Sequence, residues 1–355
     1  MLVMTGPVAP SSQLASSHAF AGQPMIGCIL IWPPGIMATA RDTAKVGLWP
    51  AGSPCFPIWS NVMALHEQFA SRLRAAKDDV AWEGLQGDVG RARLVPGQVR
   101  MVTKPMAALW ESEHQDARQA SELVFGQHFR VLQTGPDRFW GQCLEDGYVG
   151  YVDRSDVSKP QSLTHEVIAR SAPVRYEADI KAPPRFTLPL GARITVTGPV
   201  VNNFVTTMVG FLPVHALREL GMDVDAALLT KTLEGMLGTP YVWGGGSYTG
   251  IDCSGLVQAW VRLVEPGVLR DADMQEASLG QQIDDGSRQV GDFLFWPGHV
   301  AIIWRHQTLF HASGHHMAVV MEPLDKALAR IETTSGPVRT ARRHPIMAAL
   351  MRDLV

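Results

Sequence analysis

Cys253 lies where a glycine-rich loop, residues 244–246, runs into a predicted helix, a position that can make a thiol reactive. The apolar residues that follow recur at helical spacing: Leu256, Val257, Trp260, Val261 and Val264. Free backbone N–H groups in the first turn of a helix favour an anion, so we expect a lowered thiol pKa and a thiolate near neutral pH. The same N–H groups could bind the oxyanion formed when the thiolate attacks an acyl carbon.

Two histidines follow on predicted neighbouring strands. Residues 291–304 contain two short apolar runs separated by Trp-Pro-Gly, which predicts a hairpin whose second strand begins at His299. Residues 308–314 predict the next strand, with His311 near its end. Antiparallel neighbours can place both imidazoles in one row, so the three side chains match the nucleophile, base and orienting group of papain-like enzymes. The alternative is that each histidine is a surface residue.

A metal site is a second interpretation of the same region, because His306, His315 and His316 lie close to His311. A histidine cluster can bind zinc, and Cys253 could be a further ligand. The sequence has neither a Cys-x-x-Cys nor a His-Glu-x-x-His spacing to support it. We therefore expect no metal and no other cofactor, with His315 and His316 facing solvent or supporting the site.

Five segments, in chain order, resemble the motifs of the NlpC-type cysteine peptidases, which cut peptidoglycan stem peptides. They are Pro240-Tyr241-Val242-Trp243-Gly244-Gly245, Asp252-Cys253-Ser254-Gly255, Leu269-Arg270-Asp271-Ala272-Asp273-Met274-Gln275, Gly291-Asp292 and Gly298-His299-Val300. The resemblance covers about residues 224–354. It departs at residues 268–270, where the usual Leu-Pro-Arg is Val-Leu-Arg, a change expected to alter a loop more than the chemistry.

The resemblance implies roles for individual side chains. Cys253 is then the nucleophile, His299 the general base and His311 the group that orients it. Around the substrate the resemblance places Tyr241, Trp243, Asp252 and Ser254. It also implies a papain-like α+β fold in which the nucleophile helix packs on an antiparallel sheet.

Composition limits the remaining possibilities. A chain of 355 residues with 46% hydrophobic residues can form two or three globular domains. A net charge of -3 argues against a nucleic-acid partner, which needs a concentrated basic surface. The four cysteines are too few and too scattered for a disulfide framework.

The N-terminal region predicts neither an anchor nor an ordinary export signal. Residues 1–40 contain no lysine, arginine, aspartate or glutamate, so a signal peptide would lack its positive segment. The apolar stretch 25–38 contains a Pro-Pro pair and is shorter than the roughly 20 residues that span a bilayer. We expect no membrane span and a cytoplasmic location, with export by an atypical signal as the alternative.

Ahead of the catalytic region, residues 1–95 predict an irregular extension with one amphipathic helix over 61–85, expected to pack on a neighbouring barrel. Short strand-like runs then follow at 99–103, 107–110, 121–125, 128–134, 139–143 and 148–152. They predict a small barrel over 96–160 that resembles bacterial SH3-like domains. A weaker second copy is expected over 161–221, because residues 188–196 parallel residues 124–132. The peptidase domain is expected over 222–355.

The domain order SH3-like, SH3-like, NlpC-type resembles the gamma-D-glutamyl-L-diamino acid endopeptidases. It implies hydrolysis of that bond in peptidoglycan stem peptides with a free N-terminal L-Ala, in murein peptide recycling or cell-wall turnover. Asp252 would pair with the free ammonium group, and Tyr151, Tyr148 or Glu111 of the first barrel could contribute. The alternatives are a non-catalytic cell-wall peptide-binding protein, or an amidase or acyltransferase on the same scaffold.

Overall fold

The computed structural model describes residues 65, 67–85 and 89–352. Residues 1–64 of the predicted extension, including the apolar stretch 25–38, lie outside these residues. Within the described ranges, no helix combines the length and the apolar character needed to cross a membrane.

Within the described residues, the N-terminal helix ends earlier than the sequence predicts. Helix α1 spans Ala70–Leu73, and strand β1, Val80–Trp82, pairs in parallel with β2, Arg93–Val95. The helix expected over 61–85 is therefore wrong at its C-terminal end, because the apolar spacing stops at Leu73 and the backbone becomes extended at Arg74. The predicted start of the helix lies outside the described residues. Phe69 and Leu73 are buried in the core of the following barrel, which confirms the expected packing.

The first β-domain is a seven-stranded sheet with strand order β5-β4-β8-β7-β6-β3-β9. Its strands are β3 Gln98–Val102, β4 Met106–Trp110, β5 Gln119–Val124, β6 His128–Thr134, β7 Arg138–Cys143, β8 Val149–Asp153 and β9 Val157–Ser158. All six predicted runs are strands with ends within two residues of the expected positions. The short apolar runs and the turn residues between them therefore located the strands correctly.

The second β-domain repeats this order. Its strands are β10 His165–Val167, β11 Ser171–Arg175, β12 Pro184–Pro189, β13 Arg193–Ile194, β14 Val196–Val201, β15 Phe204–Thr207, β16 Gly210–Pro213 and β17 Leu217–Glu219. They pair as β12-β11-β16-β15-β14 and as β13-β10-β17. The two β-domains meet at Gly126, where φ is +87° and an added Cβ would lie 2.4 Å from the backbone oxygen of Arg193. Glycine is needed there for both reasons.

The C-terminal domain is a six-stranded antiparallel sheet with helices on both faces. Its sheet order is β20-β25-β21-β22-β23-β24. The strands are β20 Gln281–Ile283, β21 Phe293–Trp296, β22 His299–Trp304, β23 Thr308–Ser313, β24 Ala318–Pro323 and β25 Thr340–Arg343, and the short pair β18 Gly246–Ser247 and β19 Gly250–Ile251 precedes them. The helices are α2 Ala226–Glu234, α3 Cys253–Val261, α4 Ala272–Ser278, α5 Leu324–Ser335 and α6 Pro345–Met351.

Helix α3 packs on the centre of this sheet because its apolar stripe meets the alternating inward residues of β21, β22 and β23. Trp260 contacts the edge of Trp304 at a centroid distance of 5.7 Å and also packs near Phe293. The residues of opposite alternation, such as Leu294, face helix α5 in a second cluster. Full burial of such side chains contributes about 1.5–3 kcal/mol each, so it holds α3 on the sheet. The first residue of α3 then contacts Gly298, just before β22.

Candidate active site

Cys253 is the first residue of α3 and is buried, with 5% of its surface exposed. Its Sγ lies 3.9 Å from the carbonyl oxygen of Gly298, the residue before His299. The backbone N–H groups of Val300 and Ser254 are placed to hydrogen-bond the sulfur. The fold therefore brings the thiol to the start of β22, as the sequence predicts.

The protonation of this thiol differs from the expectation. Burial, with a smaller contribution from the nearby charge of Asp252, raises the pKa of Cys253 to about 12. The N–H groups of Val300 and Ser254 and the cation of Arg270 act in the opposite direction but do not compensate. The lowered pKa expected from the helix terminus is wrong because that effect is worth about 0.3–1 kcal/mol, less than the cost of burying the anion.

His299, His311 and Glu322 form a continuous line of hydrogen bonds, called here the histidine row. His299 Nε2 lies 2.8 Å from His311 Nδ1, and His311 Nε2 lies 2.8 Å from Glu322 Oε1. Glu322 also pairs with Arg330 of α5. His311 is 1% exposed, whereas the side chain of Glu322 is 16% exposed. The predicted meeting of the two imidazoles is present in the structure, and the carboxylate extends it.

Both imidazoles favour the neutral form. Burial lowers the pKa of His299 to about 3, with smaller contributions from His311 and Arg330. Burial also lowers the pKa of His311, against the raising effect of Glu322. Burial pushes the pKa of Glu322 upward, but hydrogen bonds from His311 and Arg330 outweigh it, so the net pKa is lowered. At neutral pH the row consists of two neutral rings and one carboxylate.

Asp252 and Arg270 form a buried salt bridge at the N-terminus of α3, called here the ion-pair network. Arg270 Nη1 and Nη2 donate to the two oxygens of Asp252 at 2.9 and 2.7 Å. Asp252 also accepts from the N–H of Gly255 at 2.7 Å, which caps α3, and from that of Gly244 at 2.8 Å. Both carboxylate oxygens are engaged within the protein, so the geometry does not support the predicted pairing of Asp252 with a substrate ammonium.

The guanidinium of Arg270 joins three parts of the molecule. It donates through Nη2 to the carbonyl of Gly245 at 3.1 Å and through Nε to the hydroxyl of Ser121 in the first β-domain at 3.1 Å. Its Nη1 also donates to the Ser254 hydroxyl at 3.0 Å. Ser254 is buried in this network, and its expected place beside the substrate stays a prediction.

The remaining predicted substrate-binding residues divide into two groups. The Tyr241 hydroxyl is hydrogen-bonded with Cys253, and burial raises the pKa of Tyr241, so the phenol stays protonated beside the sulfur. Trp243 is 67% exposed on the adjoining loop. Tyr151 is not part of this site: its hydroxyl contacts Lys77, whose ammonium also lies over the rings of Tyr151 and Trp140. It was expected at the groove because it lies on a late barrel strand, but its side chain packs toward β1 and β2.

The first β-domain contacts the glycine-rich loop directly. Gln119 Nε2 donates to the carbonyl of Gly244 at 3.0 Å, and the Tyr148 hydroxyl donates to the Asp271 carboxylate at 3.0 Å.

Among the residues that the structure describes, no group of three or more His, Cys, Asp or Glu side chains is arranged to hold a metal ion.

Comparison with known proteins identifies both parts of this arrangement. Residues 238–335 match the sequence model of the NlpC/P60 family, and residues 109–157 match that of the bacterial dipeptidyl-peptidase SH3 domain. The chain carries an NlpC/P60 domain. Its cysteine, its histidine pair and the Asp252–Arg270 pair all fall within the NlpC/P60 match.

Relatives are similar over more than the NlpC/P60 domain. The chain is 28% identical over 249 residues to dipeptidyl-peptidase 6 of Lysinibacillus sphaericus, covering 64% of this chain and 92% of that protein. It is 30% identical over 196 residues to the gamma-D-glutamyl-L-lysine dipeptidyl-peptidase of Bacillus subtilis, covering 50% of this chain and 63% of that one. A solved NlpC/P60 family protein from Bacillus cereus superposes with a TM-score of 0.59 at 16% identity, covering 70% of this chain and 99% of that one. This structural match supports the fold alone.

Glu322 and the partners of Arg270 were missed at the level of sequence. Glu322 follows Val320 by two residues on β24, so both point to one face, and Val320 is the residue opposite His311. Diagonal neighbours across strands are within reach of long side chains. A single acidic residue two positions along a mostly apolar strand was the signal that could have found it.

Proposed function

We propose that this protein is a cysteine endopeptidase that hydrolyses the gamma-D-glutamyl-L-diamino acid bond of peptidoglycan stem peptides. The observation that carries the proposal is the position of Cys253 at the start of α3, where its Sγ contacts the backbone oxygen of Gly298, the residue before His299, which in turn hydrogen-bonds to His311. The names of the two relatives, both dipeptidyl-peptidases, support the peptidase class. The second name supports this bond.

The protonation states favour proton transfer during attack. At rest the thiol is protonated and the imidazole of His299 is neutral. As Cys253 Sγ bonds to the carbonyl carbon of the gamma-D-glutamyl group, the thiol proton passes to His299. Backbone N–H groups at the start of α3 and the Tyr241 hydroxyl are suited to stabilise the resulting oxyanion.

Collapse of this tetrahedral species breaks the C–N bond, and His299 returns its proton to the departing amine of the diamino acid. A thioester remains on Cys253. Water then attacks the thioester carbon while His299 accepts one of its protons, the C–S bond breaks, and the thiol is restored. His311 keeps the His299 ring oriented throughout.

We further propose that the first β-domain selects peptides with a free N-terminal L-Ala. Asp252 is already paired with Arg270, and Tyr148 is hydrogen-bonded to Asp271. Of the residues predicted to recognise the ammonium group, the exposed Glu111 is therefore the carboxylate that could still bind it. It follows Trp110, whose partner across the sheet is Gln119, the residue that contacts Gly244. A carboxylate there would attract an ammonium group and gain nothing from an acylated terminus.

The second β-domain is proposed to be a second SH3-like barrel, supported by its repeat of the strand order of the first. A role in murein peptide recycling or cell-wall turnover, and the cytoplasmic location, stay predictions from the sequence.

The decisive experiment incubates the full chain with the synthetic tripeptide L-Ala-gamma-D-Glu-diamino acid, as its lysine and diaminopimelate forms, and identifies the products by mass spectrometry. We expect release of L-Ala-D-Glu by the wild type and none by Cys253→Ala. Cys143→Ala is the matched control, since Cys143 is also buried but packs in the first β-domain. An N-acetylated tripeptide and intact sacculi form the comparison arms, and Glu111→Gln should raise KM for the free tripeptide.

Each alternative has its own result. Turnover by Cys253→Ala at the wild-type rate would remove the nucleophile. Tight binding without any cleavage by the wild type would favour a peptide-binding protein. Acyl exchange, or release of a sugar from sacculi, would favour a transferase or an amidase.

A further inference from the structure

The carboxylate at the outer end of the histidine row has no part in the chemistry proposed above. We propose that Glu322 is a positioning residue that fixes the tautomers of both His311 and His299, so that His299 keeps an unprotonated Nδ1 for the thiol proton of Cys253. The inference rests on the proposed role of His299 as the base. It follows from the direction in which each hydrogen bond of the row can run.

The outer bond sets the first direction. An ionised carboxylate can only accept hydrogen bonds, so the proton in the 2.8 Å contact between Glu322 and His311 must lie on His311 Nε2. Arg330 on α5 pairs with the same oxygen and supports the ionised form. Because His311 is 1% exposed, water has little access to that ring to offer its Nε2 another partner.

The inner bond follows from the outer one. A neutral imidazole carries one proton, so His311 protonated on Nε2 has only a lone pair on Nδ1. The 2.8 Å contact between the rings then requires His299 to donate from Nε2. Its remaining nitrogen, Nδ1, is left unprotonated and able to accept. One carboxylate therefore determines the form of two rings.

The reverse direction would inactivate the base. If the outer group could donate to His311 Nε2, the proton of His311 would move to Nδ1 and bond to His299 Nε2. His299 would then carry its proton on Nδ1 and could not accept one from Cys253. Glu322→Gln makes this possible with almost no change of shape, because a glutamine offers both an acceptor oxygen and a donor nitrogen.

The test is ¹⁵N NMR of the full chain labelled at histidine, which distinguishes the two neutral tautomers, combined with kinetics on the tripeptide. In the wild type we expect both His299 and His311 to carry the proton on Nε2, with His299→Gln and His311→Gln used for assignment. Glu322→Gln should show Nδ1-protonated forms of both rings. Its kcat should fall about 10- to 100-fold with KM changed less than about twofold, in the range seen for other outer partners of functional histidines.

Two further variants separate direction from simple loss of an ion pair. Arg330→Gln removes the partner of Glu322 but leaves the carboxylate as acceptor, so both Nε2-protonated forms should persist. Glu276→Gln is the matched control, because Glu276 also pairs with an arginine, Arg339, and lies outside the histidine row. It should change neither tautomers nor kinetics.

The outcomes are separable. A wild-type spectrum with the proton of His299 on Nδ1 overturns the inference, whether or not Glu322→Gln folds. So does a Glu322→Gln protein that keeps Nε2-protonated rings and wild-type kcat. If Cys253→Ala retains turnover, the proposed function fails, whereas the tautomer result remains interpretable because it needs no activity.

Discussion

The two polar networks around Cys253 differ in the charge that they carry. The ion-pair network is fully charged and deeply buried, and it holds the N-terminus of α3 and the glycine-rich loop through fixed hydrogen bonds. The histidine row is neutral over its two rings and carries a charge only at its outer end, on Glu322. A buried ion pair is costly to disturb, whereas a row of neutral imidazoles can accept and return a proton. The first network is therefore suited to hold the backbone and the second to move protons.

Breaking the ion-pair network should give the largest effect on stability. Arg270→Leu leaves the carboxylate of Asp252 buried without its cation, and we expect the free energy of unfolding to fall by about 3–5 kcal/mol. Urea denaturation followed by circular dichroism measures it. Arg339→Leu is the control, since Arg339 pairs with Glu276 on the surface with 47% of its side chain exposed, and it should cost less than about 1 kcal/mol. An equal decrease in the free energy of unfolding for the two variants would mean that the buried ion pair is no more costly to break than the exposed one.

The charge state of the thiol can be tested by alkylation in a Cys143→Ala background. Because burial raises the pKa of Cys253 to about 12, iodoacetamide should react slowly at pH 6 and faster by up to about tenfold per pH unit between pH 7 and 10. Peptide mass spectrometry measures the modified fraction with time, and a small unfolded cysteine peptide is the reference. A plateau of fast reaction below pH 7 would instead indicate a resting thiolate paired with imidazolium.

A smaller effect is expected in the pH dependence of stability. The folded pKa values of His299 and His311 lie below the ordinary histidine value of about 6.5, so the unfolded chain binds protons that the folded chain excludes. The free energy of unfolding should therefore be highest above about pH 6.5 and fall as the pH drops toward the folded values. Denaturation of the wild type and of His299→Gln at pH 7, 6 and 5 should show a shallower decrease for the variant. Parallel decreases would mean that His299 is not held neutral.

The sequence predicted those parts of the site that follow from local pattern. The helix after Cys253 and the strands carrying His299 and His311 come from periodicities of a few residues, and the structure contains each of them. The predicted shift of the Cys253 pKa was wrong in direction, because the cost of burying the thiolate depends on the whole domain rather than on the first turn of a helix. The orientation of Tyr151 was wrong for a related reason, since its partner Lys77 lies on a segment expected to be helical.

The contacts between the first β-domain and the peptidase domain could not be predicted from local sequence patterns. Arg270 and Ser121 are 149 positions apart, and nothing in either neighbourhood indicates the other. The motif around Arg270 was recognised, but its partners depend on how two separately folded sheets pack.

The hydrogen bond from Arg270 to Ser121 has a practical consequence for any attempt to trim this enzyme. A fragment beginning at the peptidase domain would expose the guanidinium of Arg270 to water where Ser121 now covers it, although its side chain is only 1% exposed in the full chain. The fragment would also lose the hydrogen bond from Gln119 to the glycine-rich loop. Fusion of the peptidase domain to another scaffold would remove the same two contacts. We therefore expect exchange between relatives to succeed only when the first β-domain and the peptidase domain are transferred together.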